Sequence, residues 1–256
     1  MNRTGLLVAL LLAGASGIAF GFFPSLDLEF MQTFYKGPIR DTSGRMLAWY
    51  IAPPFPLLQN ILVKGTLLLV IPALLALLLK LFMPQRKMLV SGRGIIFLIS
   101  TLIIIPGLIV NTGLKEHWGR PRPLNVTEFG GPQHFVAWWN PTGDCVKNCS
   151  FVSGDVAAVT WAVAPAALLP PFWRVVAIGV SLAAAGFVGV MRMMAGGHFP
   201  SDVIFAAAIT FVSIWLVYAL IFRWKSTRLS DDGVESWIAR FAMSLRSMVS
   251  FRRHKA

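Results

Sequence analysis

The chain has 256 residues, of which 56% are hydrophobic and only 13% are charged. Soluble domains are usually about 45–50% apolar, and the excess here lies in long blocks rather than in alternating patterns, which excludes an ordinary soluble fold. The formal net charge of +12 would favour a nucleic-acid partner in a soluble protein, so it matters where along the chain the basic residues lie.

Six apolar blocks predict six transmembrane helices, because a helix needs roughly 20 apolar residues to cross a bilayer. In chain order, the blocks are Leu6 to Phe22, Leu62 to Phe82, Ile95 to Leu114, Val156 to Leu169, Val175 to Met194 and Val203 to Phe222. The first could instead be a cleavable signal peptide, but its apolar run is long for a signal core and no clear A-x-A site follows. The fourth is shorter than the other five, and Phe151 and Val152 are expected to extend it toward one surface.

The basic residues fall on one side of the membrane if both termini are cytoplasmic. That side then carries Arg3, Lys80, Arg86, Lys87, Arg93, Arg174 and the eight basic residues between Arg223 and Lys255. The opposite side is close to neutral. Such an excess of Lys and Arg is typical of cytoplasmic loops, so it orients the chain and removes the need for a nucleic-acid partner.

Two loops are expected on the outer side. Phe23 to Asn60 is rich in aromatic residues, among them Trp49 and Tyr50, which suit a membrane–water interface; a wall of a lipid-entry groove is the alternative. The second loop, Lys115 to Ser150, holds Cys145 and Cys149. Their spacing favours a local disulfide, which persists outside the cytoplasm. Free thiols and a zinc site are the alternatives, although two sulfurs without a nearby His pair make an incomplete zinc site.

The chain is expected to divide into a membrane domain, residues 1–222, and a basic amphipathic tail, residues 223–256. Apolar residues recur in the tail at steps of three and four: Val234, Trp237, Ile238, Phe241, Leu245, Met248 and Val249. This pattern predicts an amphipathic helix on the inner leaflet, in preference to a calmodulin-like target helix.

Three polar segments lie at the outer ends of predicted helices, so the topology brings them to one side of the bilayer. They are KEHWGRPRP at 115–123, Ser153-Gly154-Asp155, and RMMAGGHFPSD at 192–202. Arginine forks match phosphate oxygens, and the N–H groups at a helix start favour an anion. Carboxylates are few and scattered. The segments therefore predict a phosphate site with no metal ion and no cofactor.

The third segment contains a candidate nucleophile. His198 and Asp202 are four residues apart and would share a face of a helix, although Pro200 works against that geometry. A carboxylate beside an imidazole fixes its tautomer and stabilises its charged form, which suits a histidine that attacks phosphorus. Taken singly, His198 could be an interfacial histidine and Arg192 a cation that reaches the membrane surface, but the three segments together argue against this.

At these residues the chain resembles the type-2 phosphatidic acid phosphatase superfamily, whose signature is K-x6-R-P, then P-S-G-H, then S-R-x5-H-x3-D. Lys115 to Arg122-Pro123 fits the first part. The third part is fitted, with Met191 in place of Ser, by Arg192, His198 and Asp202.

The second part of the signature is matched less closely. Ser153-Gly154 fits it, with Val152 for Pro and Asp155 for His. The stretch from Asn148 to Gly154 is similar to the bacterial subgroup that includes lipid A phosphatases.

The resemblance implies an all-α bundle of six transmembrane helices with a periplasmic-side active site. It implies that the phosphate oxygens are held by Lys115, Arg122, Ser153, Gly154 and Arg192. His198 would attack phosphorus, Asp202 would orient it, and water would hydrolyse the phosphohistidine.

Two further residues have less certain counterparts in the family. Asp155 stands where relatives carry the histidine that protonates the leaving group, and it is expected to take over that role in its protonated form; the alternative is an anion at the helix start in an enzyme whose diphosphate substrate needs little acid help. Arg120 lies inside the first motif, and we interpret it as an additional phosphate or sugar contact, with a surface charge as the alternative.

The expected function is removal of phosphate from a lipid in the outer leaflet of the bacterial inner membrane. Lipid A is the first substrate class, and undecaprenyl diphosphate and phosphatidylglycerol phosphate are the next. A lipid phosphotransferase that uses the same phosphohistidine is a second hypothesis. The third is a non-enzymatic lipid-binding protein, motivated by Asp155.

Overall fold

Helices make up almost all of the described structure. The computed structural model describes residues 1–35, 39–40, 46–47, 55–88 and 90–253. Two strands of two residues, β1 (Ile39–Arg40) and β2 (Met46–Leu47), pair antiparallel. Every other regular element in these ranges is helical, which confirms the all-α fold class.

The first half of the chain forms four α-helices and then one long composite helix. The four are α1 (Arg3–Phe22), α2 (Ser25–Phe34), α3 (Phe55–Leu68) and α4 (Ile71–Phe82). The composite helix consists of α5 (Gly92–Leu102), a π-helix (Ile103–Leu114) and α6 (Lys115–His117). Pro106 lies inside the π-helix and removes one backbone N–H from its hydrogen bonds.

The second half contains two short helices, two long ones and a tail helix. After two 3-10 turns (Pro123–Asn125 and Thr127–Phe129) come α7 (Gly154–Thr160), α8 (Val163–Ala167), α9 (Pro171–Met194), α10 (Pro200–Tyr218) with a π-helical end (Ala219–Arg223), and α11 (Asp231–Arg253). Both long helices begin with a proline, whose missing N–H would have no partner in the first turn anyway.

Five helical stretches among the described residues are long and apolar enough to cross a membrane: Arg3–Phe22, Pro56–Phe82, Gly92–His117, Pro171–Met194 and Pro200–Arg223. Their outward side chains are apolar; Leu11 of α1 is 71% exposed and Leu79 of α4 is 58% exposed. Surfaces of this kind are unfavourable in water but are the normal exterior of a membrane protein.

The fourth predicted block is not one of these five stretches. It forms α7 and α8, which are separated at Trp161 and Ala162 and are mostly buried. Trp161 is 0% exposed and donates its indole N–H to the hydroxyl of Thr101 at 3.0 Å. Other helices enclose this block, so it does not need the long lipid-facing surface of the other five.

The segment predicted as a single outer loop is partly helical. It contains α2, and α3 begins at Phe55 rather than at Leu62. The aromatic residues Trp49 and Tyr50 lie outside the described residues. Of those that are described, Phe23 is 64% exposed, as an interfacial anchor would be, whereas Tyr35 is 4% exposed. Tyr35 packs edge-on against Phe129, with their ring centroids 5.6 Å apart.

The N-terminus and the end of α10 lie at the same end of the bundle. The guanidinium of Arg223 donates to the carbonyl of Met1 at 3.1 Å, and the indole N–H of Trp215 donates to the carbonyl of Asn2 at 3.0 Å. The beginning of α5 is at this end too, because α11, which follows α10 closely, packs on Gly92 through Val234.

The tail helix α11 is present and divides the predicted apolar stripe into two parts. Val234 and Ile238 are buried against the bundle, whereas Trp237 is 59% and Phe241 49% exposed. Two ion pairs fix its N-terminal half, Lys80–Glu235 at 2.6 Å and Arg93–Asp231 at 2.8 Å. The helix therefore docks on the ends of α4 and α5 and still presents an apolar surface outward.

Close packing of α9 and α10 at Gly189 yields a stability prediction. A Cβ at Gly189 would stand 2.4 Å from Cγ1 of Val203, a branched side chain with little rotameric freedom. Gly189→Ala is expected to destabilise the protein by about 1–3 kcal/mol through overpacking, measured as a lower Tm in detergent.

The matched control is Gly186→Ala on the same helix, where a Cβ would have nothing within 4 Å. Its Tm is expected to stay unchanged or to rise, because alanine is the better helix former. Equal losses of Tm in the two variants would contradict the close approach of the helices.

Candidate active site

The three polar segments meet at the end of the bundle opposite to α11. Lys115 lies in the last turn of the third span, and Ser153 directly precedes α7. Arg192 lies in the last turn of α9, and His198 follows in the turn before α10. The structure thus brings together residues that the sequence places in three separate motifs.

His198 is held in one tautomer by a backbone carbonyl. The imidazole is 1% exposed, and its Nδ1 lies 2.7 Å from the carbonyl oxygen of Ser150. A carbonyl oxygen can only accept, so Nδ1 carries the proton and donates it. In the neutral ring, the lone pair is then on Nε2, which is the nitrogen left to act as the nucleophile.

The surroundings of His198 keep it neutral. Burial lowers the pKa of its imidazole most, and the nearby cations Arg192, Arg122 and Lys115 lower it further, so that the pKa lies well below its ordinary value of 6.5. A nucleophile needs the unprotonated nitrogen, and these surroundings favour that form at neutral pH.

The expected direct contact between Asp202 and His198 is not made as a hydrogen bond. α10 begins at Pro200, so the two residues do not share a helical face, and Oδ2 of Asp202 is 3.9 Å from Nδ1. That oxygen instead accepts from the Ser150 hydroxyl at 2.5 Å and from the Phe199 N–H at 2.8 Å. Asp202 therefore holds the two segments between which the imidazole sits.

Arg120 is not a phosphate contact or a surface charge, which corrects the interpretation of the sequence. It is 0% exposed, and its guanidinium bonds Asp202 at 2.5 Å and Asp27 at 2.7 Å. Burial alone would lower the pKa of Arg120, but the carboxylates of Asp202 and Asp27 outweigh it and raise that pKa. The guanidinium is thus a fixed cation inside the protein, held by the carboxylates of Asp202 and Asp27.

The residues expected to hold phosphate converge in front of His198. The Lys115 ammonium is 3.5 Å from where a Cβ on Gly154 would stand, and a Cβ on Gly197 would lie 2.7 Å from Nη2 of Arg192. Glycine at position 197 thus allows the Arg192 guanidinium to lie against the turn that carries His198.

Ser153 supplies a donor that the described part of the chain does not satisfy. Its side chain is 0% exposed, and its hydroxyl has no hydrogen-bond partner there. Buried hydroxyls are nearly always bonded, so an unbonded hydroxyl at a helix start, beside three cations, is suited to a phosphate oxygen. No group of three or more His, Cys, Asp or Glu that could hold a metal ion occurs among the described residues.

Comparison with known proteins agrees with this geometry. Residues 94–226 match the PAP2 superfamily. The chain belongs to the PAP2 superfamily. No solved structure matches it significantly. Membership makes the chain a membrane lipid phosphatase, a phosphoric monoester hydrolase, as the motifs predicted.

Curated relatives extend the similarity beyond the family region. The chain is 36% identical to a lipid A 4'-phosphatase of Francisella tularensis subsp. novicida (strain U112), over 88% of this chain and 99% of the relative. It is 33% identical to a lipid A 4'-phosphatase of Rhizobium leguminosarum, over 72% of this chain and 82% of the relative. A lipid A 4'-phosphatase of Rhizobium etli (strain ATCC 51251 / DSM 11541 / JCM 21823 / NBRC 15573 / CFN 42) is 34% identical, over 72% of this chain and 74% of the relative.

Asp155, which departs from the PAP2 signature, is paired in the structure. Its Oδ2 accepts from Nε2 of Gln59 at 2.8 Å and lies 3.3 Å from Nε of Arg192. The carboxyl group is 34% exposed, so it borders the open part of the site. Sequence reasoning missed Gln59, which shares its helix with other polar side chains such as Asn60 and Lys64, so no local signal sets it apart.

A loop that is closed by a disulfide forms hydrogen bonds with the first PAP2 motif. Cys145 and Cys149 are bonded, as predicted. The N–H of Cys149 donates to the carbonyl of Lys115 at 2.9 Å, and the carbonyl of Asn148 accepts from the Arg122 guanidinium at 2.8 and 3.1 Å. Asn148 has φ of 53°, a left-handed conformation that asparagine tolerates better than most residues. The loop thereby positions Arg122.

The depressed pKa of His198 predicts the acid limb of the pH–rate profile. Only the neutral imidazole can attack, and lowering its pKa moves the loss of activity to lower pH. The limb of kcat/KM is therefore expected well below pH 6.5. It should be measured with two substrates whose phosphate groups have different pKa values. If the acid limb falls at the same pH with both substrates, it reports a group of the enzyme. Such a limb above pH 6.5 would contradict the lowered pKa of His198.

Proposed function

We propose that this phosphatase removes the 4'-phosphate of lipid A. The observation that carries the proposal is the identity of 36% with a lipid A 4'-phosphatase over 99% of that relative's length. At 88% of this chain, the similarity extends well beyond the PAP2 match at residues 94–226. The similarity therefore also covers parts of the chain outside the family region, where the rest of a lipid could be contacted.

We further propose that the chain crosses the membrane six times. The N-terminus lies beside the end of α10, and a chain that returns to the same side must cross an even number of times. Five long spans alone would leave the two ends on opposite sides. The pair α7–α8, which runs through the centre of the bundle, supplies the sixth crossing, and neighbouring helices compensate for its short length.

The active site is proposed to face the periplasm, with both termini cytoplasmic. The loop with the Cys145–Cys149 disulfide is at the active-site end, and disulfides persist in an oxidising compartment. The opposite end carries most of the basic residues, as cytoplasmic loops do. Residues 223–256 would then form a cytoplasmic tail, and the exposed Trp237 and Phe241, next to Arg240, suit the inner leaflet.

The proposed reaction has two displacements at phosphorus. Lys115, Arg122 and Arg192 hold the phosphate oxygens, together with the Ser153 hydroxyl and the Gly154 N–H. Nε2 of His198 attacks, so that a P–N bond forms and the P–O bond to the sugar breaks. A water molecule then attacks the phosphohistidine, the P–N bond breaks, and inorganic phosphate leaves. Hydrogen-bond donors that are already in place stabilise the negative charge on the phosphate oxygens.

Asp155 is proposed to give a proton to the departing sugar oxygen. It borders the opening of the site, and it contacts the proposed phosphate-binding residues through its ion pair with Arg192. A bound phosphate group attracts Arg192 more strongly than a single carboxylate does, because it carries more charge. The arrival of substrate would therefore release Asp155 from this partner, so that its carboxylate takes up a proton from water and then passes it to the departing sugar oxygen, with Gln59 still beside it.

A substrate panel with the purified protein tests the assigned function. Lipid A that carries both phosphates is expected to lose the 4'-phosphate as free phosphate, faster than a prenyl diphosphate or phosphatidylglycerol phosphate. Vanadate is expected to inhibit, and EDTA to have no effect. His198→Ala should retain less than about 1% of kcat, a loss of at least ~2.7 kcal/mol.

Transfer of labelled phosphate to a second lipid, with no free phosphate, would favour the phosphotransferase alternative. Rapid turnover of a prenyl diphosphate with lipid A untouched would contradict the lipid A assignment.

The acid role of Asp155 has its own test. General acid catalysis contributes typically about 10²–10⁴-fold, and the leaving sugar alkoxide of a monophosphate needs a proton more than the phosphate leaving group of a diphosphate does. Asp155→Asn is expected to lower kcat strongly on a lipid monophosphate and only weakly on a lipid diphosphate. An unchanged rate and pH profile on the monophosphate would rule out this role.

A further inference from the structure

The carboxylate of Asp27 is fully buried in a helix outside the family match. Asp27 lies on α2, 0% exposed, whereas the PAP2 match covers residues 94–226. A buried carboxylate is unfavourable unless it is paired and hydrogen-bonded. Its partners are therefore informative about what it does.

Both oxygens of Asp27 bind elements of the active site. Oδ2 accepts from the Arg120 guanidinium at 2.7 Å and from the Ser201 hydroxyl at 2.7 Å. Oδ1 accepts from the backbone N–H of Ser201 at 3.0 Å. Asp27 therefore forms hydrogen bonds with the first turn of α10, three residues after His198, and an ion pair with Arg120.

The network continues from Arg120 to Asp202. Nη1 of Arg120 donates to Oδ1 of Asp202 at 2.5 Å and to the Ser201 hydroxyl at 2.8 Å. Nε donates to the carbonyl of Val136 at 2.9 Å, and the guanidinium lies over the Phe199 ring, 4.4 Å from its centroid. These contacts hold the guanidinium in a single position between the carboxylates of Asp27 and Asp202.

From Asp202 the network reaches the imidazole through Ser150. The Ser150 hydroxyl donates to Asp202 at 2.5 Å, its N–H donates to the carbonyl of Arg120 at 2.8 Å, and its own carbonyl holds Nδ1 of His198 at 2.7 Å. The tautomer of His198 thus depends on the position of one carbonyl, which Asp202 and Arg120 together fix.

The charges of the network suit a phosphorylated histidine. Asp27, Arg120 and Asp202 together carry one net negative charge behind the imidazole, while Lys115, Arg122 and Arg192 lie in front of it. The imidazole becomes positive when Nε2 binds phosphorus. Without the carboxylate of Asp27, Arg120 would neutralise Asp202 completely, and the charge behind the ring would be lost.

We propose that Asp27 is a positioning residue for His198, which acts through Arg120, Asp202 and the Ser150 carbonyl to fix the Nδ1–H tautomer and to stabilise the phosphohistidine. This inference rests on the proposed phosphohistidine mechanism, but not on the identity of the lipid. It assigns to α2 a part in the chemistry of the site rather than in the anchoring of the chain at the membrane interface.

The test compares Asp27→Asn with Glu29→Gln, which makes the same change of charge on an exposed position of the same helix. Activity is measured per active site, titrated with vanadate, on p-nitrophenyl phosphate as well as on lipid A. Asp27→Asn is expected to lower kcat about 10–100-fold, by analogy with the outer-shell partners of metal-bound histidines, with KM nearly unchanged. Glu29→Gln is expected to match the unsubstituted protein.

A second readout requires no substrate. In protein labelled with 15N-histidine, with His198→Gln used to assign the signal, His198 should show the Nδ1–H tautomer, and Asp27→Asn should show a mixture of tautomers. Ser201→Ala keeps all three charges and removes one bridge between them. It is expected to shift kcat and the tautomer in the same direction by a smaller amount, and it provides the test if Asp27→Asn does not fold.

The proposal is overturned if Asp27→Asn lowers the Tm but leaves kcat per site and the His198 tautomer unchanged. If Asp27→Asn does not fold, the same result in Ser201→Ala overturns it. Asp27 would then be a structural residue. A rise in KM at constant kcat would overturn it as well. Turnover of p-nitrophenyl phosphate without turnover of lipid A would contradict the proposed substrate and leave the test of Asp27 intact.

Discussion

The buried guanidinium of Arg120 is the group on which the arrangement of the active site depends. Its carboxylate partners, Asp27 and Asp202, come from α2 and α10, and its backbone carbonyl receives the N–H of Ser150. A buried charge that loses a partner destabilises a protein by about 3–5 kcal/mol, so the folded state is strongly favoured only when all these segments are together. The same condition brings His198, its hydrogen-bond acceptor and the first motif together.

His198 stands between two opposite electrostatic environments. In front of it, Lys115, Arg122 and Arg192 lower the pKa of the imidazole, in addition to its burial. A phosphate group bound to these cations neutralises much of their charge, and positive charge on the imidazole then becomes less unfavourable. These surroundings therefore favour the neutral imidazole before phosphate binds, whereas bound phosphate would favour the charged product of the proposed attack. Preorganised charge of this kind acts without rearrangement during the reaction.

The supports of the site are mainly backbone groups in short loops. The carbonyl of Ser150 orients His198, and the carbonyl of Asn148 holds Arg122. The disulfide between Cys145 and Cys149 closes the loop that carries the Asn148 carbonyl and ends one residue before Ser150. Loops at a membrane surface are otherwise the most mobile parts of a bundle, and here a covalent bond and a buried ion network restrict them.

The sequence by itself determined the five long spans, the tail helix, the disulfide and the residues of the PAP2 motifs, because each depends on composition or on spacing within one short segment. Only the tertiary structure decided what Arg120 and Asp202 contact. Asp27 and Ser201 are 174 positions apart, and Gln59 and Asp155 are 96 apart. No local pattern encodes contacts over such distances, since they exist only after the helices have packed. The motifs placed a carboxylate near the histidine, but packing assigned the hydrogen bond to Ser150, because α10 begins at Pro200 and turns Asp202 toward Arg120.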